Sequence, residues 1–593
     1  MAFLFRRNSF KMCHGPQAVL ESVVAVKEEN ALAVKDEGEP AILEDLKEEI
    51  PPDPYAAARD LEAAHYMRRA EKGEAEAQNG LALCYQNGWG VDVDLRKAAN
   101  WFRKAAEQGH PYSENALAIC LENGAGVEKN LVEAREWYFK SANQGNMYAQ
   151  YHSARCCEFG WGAEVNMQDA TYWYRRAGVR GHVYAQYNLG RLYFFGLADE
   201  LDAAEAVRWF RQAAEQDHST AQDALGECYE KGLGMEDPDQ EEARKWYKLS
   251  AENPNVDEGN PKGQNHLGLC HQYGIGGATD PYLAEYWFRK SAVQGFSDAQ
   301  NNLGMCYHYG FGLAQNFHFA VEWYNKAVAQ QHAHAQSNLG ECYENGWGVE
   351  KDVETAAQWY RLAAEKGENH HGQNNWGRCY LEGWGVAKNN NLAEYWFRKS
   401  ATQGNSYGQN NLGQCYELGR GVEHDLEEAF RWYQLSADQG NPFGQDNLAR
   451  CYESGLGVAQ SDNAAFDWYQ KAGDKGNDHA QNSMGRLCKA GIGCHKDLKE
   501  AALWFNRAAT RGNVYAQMNM GNCFRDGEGV EKNLERAKEF YQKAAEQEHA
   551  GAKLELVRIQ KAIFAKIPTG VSFPEVVPKI PEPPVVKTAK NEW

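Results

Sequence analysis

No stretch of this 593-residue chain approaches the ~18–20 consecutive apolar residues of a bilayer-spanning helix, so no direct membrane insertion is expected. Basic residues are in deficit. Lys and Arg number 62 against 82 Asp and Glu, a net charge of −20, and no segment gathers the cations into a patch. A phosphate backbone would be repelled, and no nucleic-acid partner is expected. Asn is abundant, yet no Asn-x-Ser/Thr occurs, and the opening Met-Ala-Phe-Leu-Phe-Arg-Arg is too short for a secretory apolar core. A cytoplasmic address is expected, with a mitochondrial presequence in the first twenty residues as the alternative.

Catalytic signatures are lacking as well. There is no serine elbow, kinase signature or Walker loop. Gly-x-Gly pairs such as Gly310-Phe-Gly312 follow a helical pattern rather than a strand and lack the third glycine of a dinucleotide fingerprint. His332 with His334, and His370 with His371, have no third ligand type recurring nearby and read as solvated turn residues. No catalytic, cofactor-binding or metal-ligating residue is assigned, and the chain is expected not to be an enzyme.

What the sequence does have is a repeat. A marker position recurs at Gln78, Glu114, Gln150, Gln186, Gln222, Gln264, Gln300, Gln336, Gln373, Gln409, Gln445, Gln481 and Gln517, with a spacing of 36 except for 42 before Gln264 and 37 before Gln373. In the copy at Gln336, Ala335, Leu339, Cys342 and Tyr343 share one helical face, and Gly346-Trp-Gly348 breaks the helix. Sixteen residues after each marker stands a helix-capping residue: Asp94, Asn130, Asn166, Asp202, Asp280, Asn316, Asp352, Asn389, Asp425, Ser461, Asp497 and Asn533, with Asp239 one residue later. From Asp352, Ala356, Tyr360, Ala363 and Ala364 give a second helical face, stopped by Gly367. Each unit thus reads as helix A, glycine turn, helix B, turn. An Ala on every helix B is followed three residues later by Trp in twelve copies and by Phe540 in the last, the small-beside-large pattern of interdigitating helices.

One unit cannot bury both its faces, so stability is expected from neighbours, with half-repeats at 56–73 and 549–565 as caps. Residues 55–565 are expected to form the array. Inside it, residues 251–263 lengthen one turn by five residues, an insertion expected to sit in a loop and to tolerate shortening.

Units such as Ala-Gln-Ser-Asn-Leu-Gly-Glu-Cys-Tyr-Glu-Asn-Gly-Trp-Gly-Val (335–349), followed by Ala-x-x-Trp-Tyr-x-x-Ala-Ala (356–364), resemble the Sel1-like repeat, a relative of the tetratricopeptide repeat. The resemblance implies an all-α fold, an α/α solenoid wound as a right-handed superhelix, with A helices lining its concave side. It further implies a scaffold or adaptor that assembles protein complexes by binding other proteins, as extended segments or peptides, without cofactors. Known branches include degradation adaptors of the endoplasmic reticulum, chitin synthase activators and secreted cysteine-rich bacterial proteins. Regulation of a membrane enzyme, as in the second branch, is the alternative function, although this sequence ends Lys-Asn-Glu-Trp rather than in a prenylation box.

Candidate binding residues are sought on helix A. Two residues after the marker lie Asn188, Asn302, Asn338, Asn375, Asn411, Asn447 and Asn519, an amide column able either to clamp an extended peptide backbone or to bond the neighbouring repeat. Five after the marker the column varies, from Leu83, Ile119, Leu269 and Met305 to Arg378, Gln414, Arg450 and Arg486. Variation on a constant scaffold suits specificity. The primary candidate is a groove of Asn338, Asn375, Arg378, Asn411, Gln414, Asn447, Arg450 and Arg486 that reads carboxylates; the competing reading is that each arginine pairs with an acid next door. The apolar group Leu83, Ile119, Leu269 and Met305 is the second candidate.

The flanks differ in composition. Residues 28–53 hold ten acids and three prolines, and residues 566–593 hold six prolines, so 1–54 and 566–593 are expected to be disordered. No basic residue is spaced for an SH3 ligand around Pro578-Lys-Ile-Pro581-Glu-Pro-Pro584.

Eleven of fifteen cysteines share one position, six after the marker: Cys84, Cys120, Cys156, Cys228, Cys270, Cys306, Cys342, Cys379, Cys415, Cys451 and Cys523. Helix B offers no partner, and packed helices ~8–10 Å apart exceed the ~7 Å reach between Cα atoms that a disulfide tolerates. These cysteines read as reduced core residues. Thiol counting on denatured, alkylated protein, after exposure of the folded chain to an oxidising buffer, should recover all eleven as thiols; several bridges among them would contradict this packing.

Overall fold

The computed structural model describes residues 56–564 apart from 198–200, 257, 367 and 368; the expected N- and C-terminal tails lie outside the described residues. Among the described residues there are twenty-eight α-helices and no strand. The chain divides into two compact units, one ending at Trp359 and one beginning at Tyr360. Within each, a helix packs chiefly on the next helix in the chain, and helix A also touches the following helix A, as Ser406–Leu418 does Pro442–Ser454. Each unit is therefore an all-α stack of the solenoid kind. The lone helices expected at the two ends run Ala56–Ala70 and Ala550–Phe564.

Local chemistry sets the boundaries. All thirteen expected caps bind the first turn of helix B; the Asp497 carboxylate, for example, accepts the backbone N–H groups of Lys499 and Glu500 at 2.8 and 3.0 Å. Helix A usually ends on a left-handed glycine such as Gly310, φ 70°. The second glycine of the turn has a further duty. At Gly312 a Cβ would overlap the carbonyl oxygen of Pro281, which opens helix B of the preceding repeat, so this glycine lets two backbones touch.

The expected core columns are buried: Ala335, Leu339, Cys342, Ala356, Tyr360, Ala363 and Ala364 all lie inside. Helix A carries a glycine where helix B brings a ring, as Gly304 faces Tyr324 and Gly413 faces Tyr433. The repeat cysteines are buried and unbridged, and burial pushes the Cys342 thiol up to about 12.

The marker glutamine is a two-sided clamp. Its amide donates back to a carbonyl at the end of the preceding helix B, as Gln186 to Gly178 (2.9 Å) and Gln481 to Gly473 (2.8 Å). Its oxygen accepts from a glutamine thirty residues on, at the end of the next helix B, as Gln300 from Gln330 (2.9 Å) and Gln409 from Gln439 (2.7 Å). One buried amide thus fastens two successive B helices to helix A between them.

The long turn at 251–263 is not a passive loop. Asn253 is buried and donates to Gln222 Oε1 and to the Asp217 carbonyl, both at 2.9 Å, taking the role that glutamine plays elsewhere. The Glu258 carbonyl accepts from Gln264 at 2.5 Å. The expectation that this insertion can be shortened at no cost is therefore corrected, because its residues carry part of the clamp.

In four repeats the residue thirty after the marker is basic rather than glutamine: Arg180, Lys366, Lys475 and Arg511. The oxygens of Gln150, Gln336, Gln445 and Gln481 are then buried without a partner, a costly state for an amide. Lys475 instead reaches the Gly440 carbonyl at 2.5 Å, a contact glutamine also makes elsewhere, as Gln547 does with Gly512. Lys475→Gln and Arg511→Gln should each raise stability by about 1 kcal/mol, read as a higher urea midpoint; a lower midpoint would contradict the clamp.

Candidate functional site

Side chains two before, one and two after, and five after the marker lie along one face of helix A. Five of the seven asparagines two after the marker do not present open amides along it. Asn302 donates to Asn265 Oδ1 (2.9 Å), Asn338 to Asn301 (2.9 Å), Asn411 to Asn374 (2.8 Å), Asn447 to Asn410 (2.8 Å) and Asn519 to Asn482 (2.9 Å). Each partner stands one after the marker in the preceding repeat. These five amides are rungs between repeats, the second of the two roles the sequence allowed. Their acceptor column was missed, although an Asn one after the marker precedes each of these five donors.

The arginines are similarly occupied. Arg450 forms a two-pronged pair with Glu417 (2.5 and 2.6 Å), which also accepts the Tyr433 hydroxyl at 2.6 Å. Arg486 pairs with Glu453 at 2.7 Å, and Glu453 accepts from Tyr469 at 2.8 Å. Burial acts to raise the Glu417 carboxyl, but the Arg450 guanidinium and Tyr433 hydroxyl hold it below its ordinary value. Arg191, which the sequence reading passed over, joins Glu158 and Tyr174 in the same arrangement in the N-terminal unit. Each Tyr–Glu–Arg set ties helix B, its own helix A and the next helix A. The structure thus corrects the view that Arg450 and Arg486 stand ready for an incoming carboxylate: each already holds one of the chain's own, and reversing them would leave Glu417 and Glu453 facing like charge. Arg378 lies 5.0 Å from the centre of the Trp384 ring and donates to Asn375 at 3.4 Å, and Gln414 is half-buried.

Leu83, Ile119, Leu269 and Met305 are half-buried and pack against core clusters. The exposed apolar groups on the A face lie instead two residues before the marker: Tyr112 (62% exposed), Tyr148, Tyr184, Tyr407, Phe443 (53%) and Tyr515 (58%). Neighbouring rings meet, with Tyr407 and Phe443 centred 6.3 Å apart and Tyr184 and His218 5.1 Å apart. Six aromatics in one register were visible in the sequence, but they precede the marker, where the column reading began.

One rung is ionic. Asp223, fully buried, stands where other repeats have the acceptor Asn, and His266 where they have the donor; His266 Nδ1 lies 2.6 Å from Asp223 Oδ1, and the Lys262 ammonium 3.1 Å from Oδ2. Glu227 and the Tyr247 ring also face this group. Burial acts to lower His266, but the Asp223 carboxylate outweighs it and the imidazole sits above its usual value; burial acts to raise Asp223, but His266 and Lys262 hold it below. Of the histidines read as turn residues, His332 caps a helix through Ala335 N and lies 2.9 Å from Asp298. Among the described residues no three potential metal ligands converge, and no helix is long and apolar enough to cross a membrane.

Helix pairs of constant length, closed by paired glycines and stitched repeat to repeat, define the chain as an α/α-repeat protein. Thirteen segments, from 75–110 to 514–549, match the Sel1 repeat, and the chain belongs to the Sel1 repeat family. It is similar to a protective antigen of uropathogenic Escherichia coli that displays an SLR fold, at 30% identity and a TM-score of 0.55, over 86% of this chain and 99% of that one. A Sel1 repeat protein from Oxalobacter formigenes is also 30% identical, over 53% of this chain and 90% of that one, TM-score 0.37. Yeast Tom70 matches at 12% identity over 86% of this chain and 95% of that one, TM-score 0.31. No curated protein matches. The fold is one commonly used as a protein-interaction scaffold.

The ionic rung carries a pH dependence. Because the folded His266 value is raised, its contribution is complete below the unfolded value of about 6.5 and is lost as pH rises through the folded value. The Asp223 contribution is present above its unfolded value and is lost on strong acidification. His266→Asn, which restores an amide rung, should lose stability relative to the wild type near pH 6 by on the order of 1 kcal/mol, and the gap should narrow towards pH 9. A gap independent of pH in thermal melts would contradict the ionic rung.

Proposed function

We propose that the chain is a non-enzymatic scaffold of the cytoplasm that captures extended segments of other proteins on the A-helix faces of its repeats. The observation that carries this reading is the exposed aromatic column two residues before the marker, set on the same face as the buried rungs. Exposed rings on rigid helices are costly in water unless a partner covers them, and aromatic anchors dominate binding energy at interfaces. The rungs, by contrast, hold the face rigid, which lowers the ordering cost of binding. In this reading Asn338, Asn375, Asn411 and Asn447 form the floor of the face, Arg378, Gln414, Arg450 and Arg486 its edge, and Leu83, Ile119, Leu269 and Met305 the floor in the N-terminal unit. Buried thiols held in the neutral form are compatible with a reducing compartment.

Replacing Tyr407, Phe443 and Tyr515 together by Ser should leave helicity and melting nearly unchanged, since the rings are exposed. Pulldown with quantitative mass spectrometry should then show the wild-type partners retained at least tenfold less. An unchanged partner set would place binding elsewhere.

A further inference from the structure

We propose that the A-helix face around Phe443 and Asp446 binds a lysine or arginine side chain carried by an extended segment of the partner protein. The proposal rests on the scaffold reading above and adds the chemistry of what is bound.

It comes from comparing two positions in the repeat. Asp223 and Asp446 both stand one residue after the marker, replacing the Asn that accepts the rung elsewhere. At Asp223 the chain supplies its own cations from the next repeat: Lys262, two before the marker, lies 3.1 Å away, and His266, two after it, lies 2.6 Å away. At Asp446 the same two positions hold His479, which is exposed, and Ser483. No described residue donates a hydrogen bond to the Asp446 carboxylate. Arg450, one turn along the same helix, is engaged by Glu417, and Arg486 by Glu453. The fold thus shows one carboxylate site filled from within and an equivalent one left for a cation from outside.

The surroundings suit that cation. Phe443 precedes Asp446 by three residues, so its ring shares the face, and the Tyr407 ring lies 6.3 Å from it. Aromatic faces beside a carboxylate attract an alkylammonium or guanidinium by cation–π contact and by a charge-assisted hydrogen bond. Burial keeps the Asp446 carboxyl up at about 6, with His479 and Arg450 pulling it down and Asp478 and Glu453 pushing it up. A net charge of −20 would favour the approach of a basic segment over an acidic one.

The test uses the full chain on an array of synthetic, unstructured twelve-residue peptides of randomised sequence. Retained peptides should be enriched in Lys and Arg. Changing the basic residue to Gln, or Asp446→Asn in the protein, should weaken retention at least tenfold. His479→Lys, which rebuilds the internal pair seen at Lys262, should keep the fold, raise the melting temperature and block capture of the basic peptides. Wild-type retention should also fall between pH 7.5 and pH 5, and Asp446→Asn should abolish that dependence. Enrichment of acidic or neutral peptides, or basic peptides held equally by wild type, Asp446→Asn and His479→Lys, would overturn the proposal while leaving the scaffold reading in place. Retention of no peptide would count against both.

Discussion

The buried amide of the marker glutamine is the interaction on which the rest of the stack depends. An amide has both a donor and an acceptor, and here the donor reaches the end of one helix B and the acceptor the end of the next. A hydrocarbon at this position would fill space but leave the carbonyls at helix ends buried and unsatisfied, which is costlier than any packing gained. Register between repeats is fixed by the same geometry. An apolar surface tolerates sliding, whereas a two-sided hydrogen bond is satisfied only when the B helices stand one repeat apart.

Around this clamp the polar side chains of helix A are spent mainly on neighbouring repeats. Asn rungs and the Glu–Arg arms of the Tyr–Glu–Arg ties run between successive repeats, while serine contacts, such as Ser400 of helix B to the His370 carbonyl at 2.7 Å, join the two helices of one repeat. In a linear array each repeat has only its neighbours to bury it, so specificity of stacking has to come from directional bonds at each interface. The consequence for binding is that many residues which look available are committed internally. What remains exposed on the face, the aromatic column and a few departures from the rung pattern, is where partner discrimination can reside.

Those departures share one position. Where the rung acceptor changes from Asn to Asp, the chain must add a cation or leave a charge half-buried. At Asp223 it adds Lys262 and His266, and the result is a structural element sensitive to pH. At Asp446 the same two positions hold only the exposed His479 and Ser483, and the result is a local demand for positive charge. One substitution in a repeated position thus has two outcomes, set by two residues on the adjacent repeat.

Periodicity alone revealed the thirteen repeats, the helix pairs, the caps at residues such as Asp497, the glycine turns and the buried alanine, aromatic and cysteine columns. These rest on interactions within about four residues of each other or on burial repeated in register, and both leave a trace in one sequence. The sequence could not decide what a polar side chain touches across thirty or more residues. Asn411 reads the same whether its amide meets a peptide or Asn374, and Arg450 the same whether it awaits a carboxylate or holds Glu417. Only the stacked helices bring those partners within 3 Å. The turn at 251–263 shows the same limit: by composition it is a loop, and only its folded position makes Asn253 part of the clamp. Short-range order was written in residue types, whereas the division between stitching and binding residues depended on distances that exist only once the repeats are stacked.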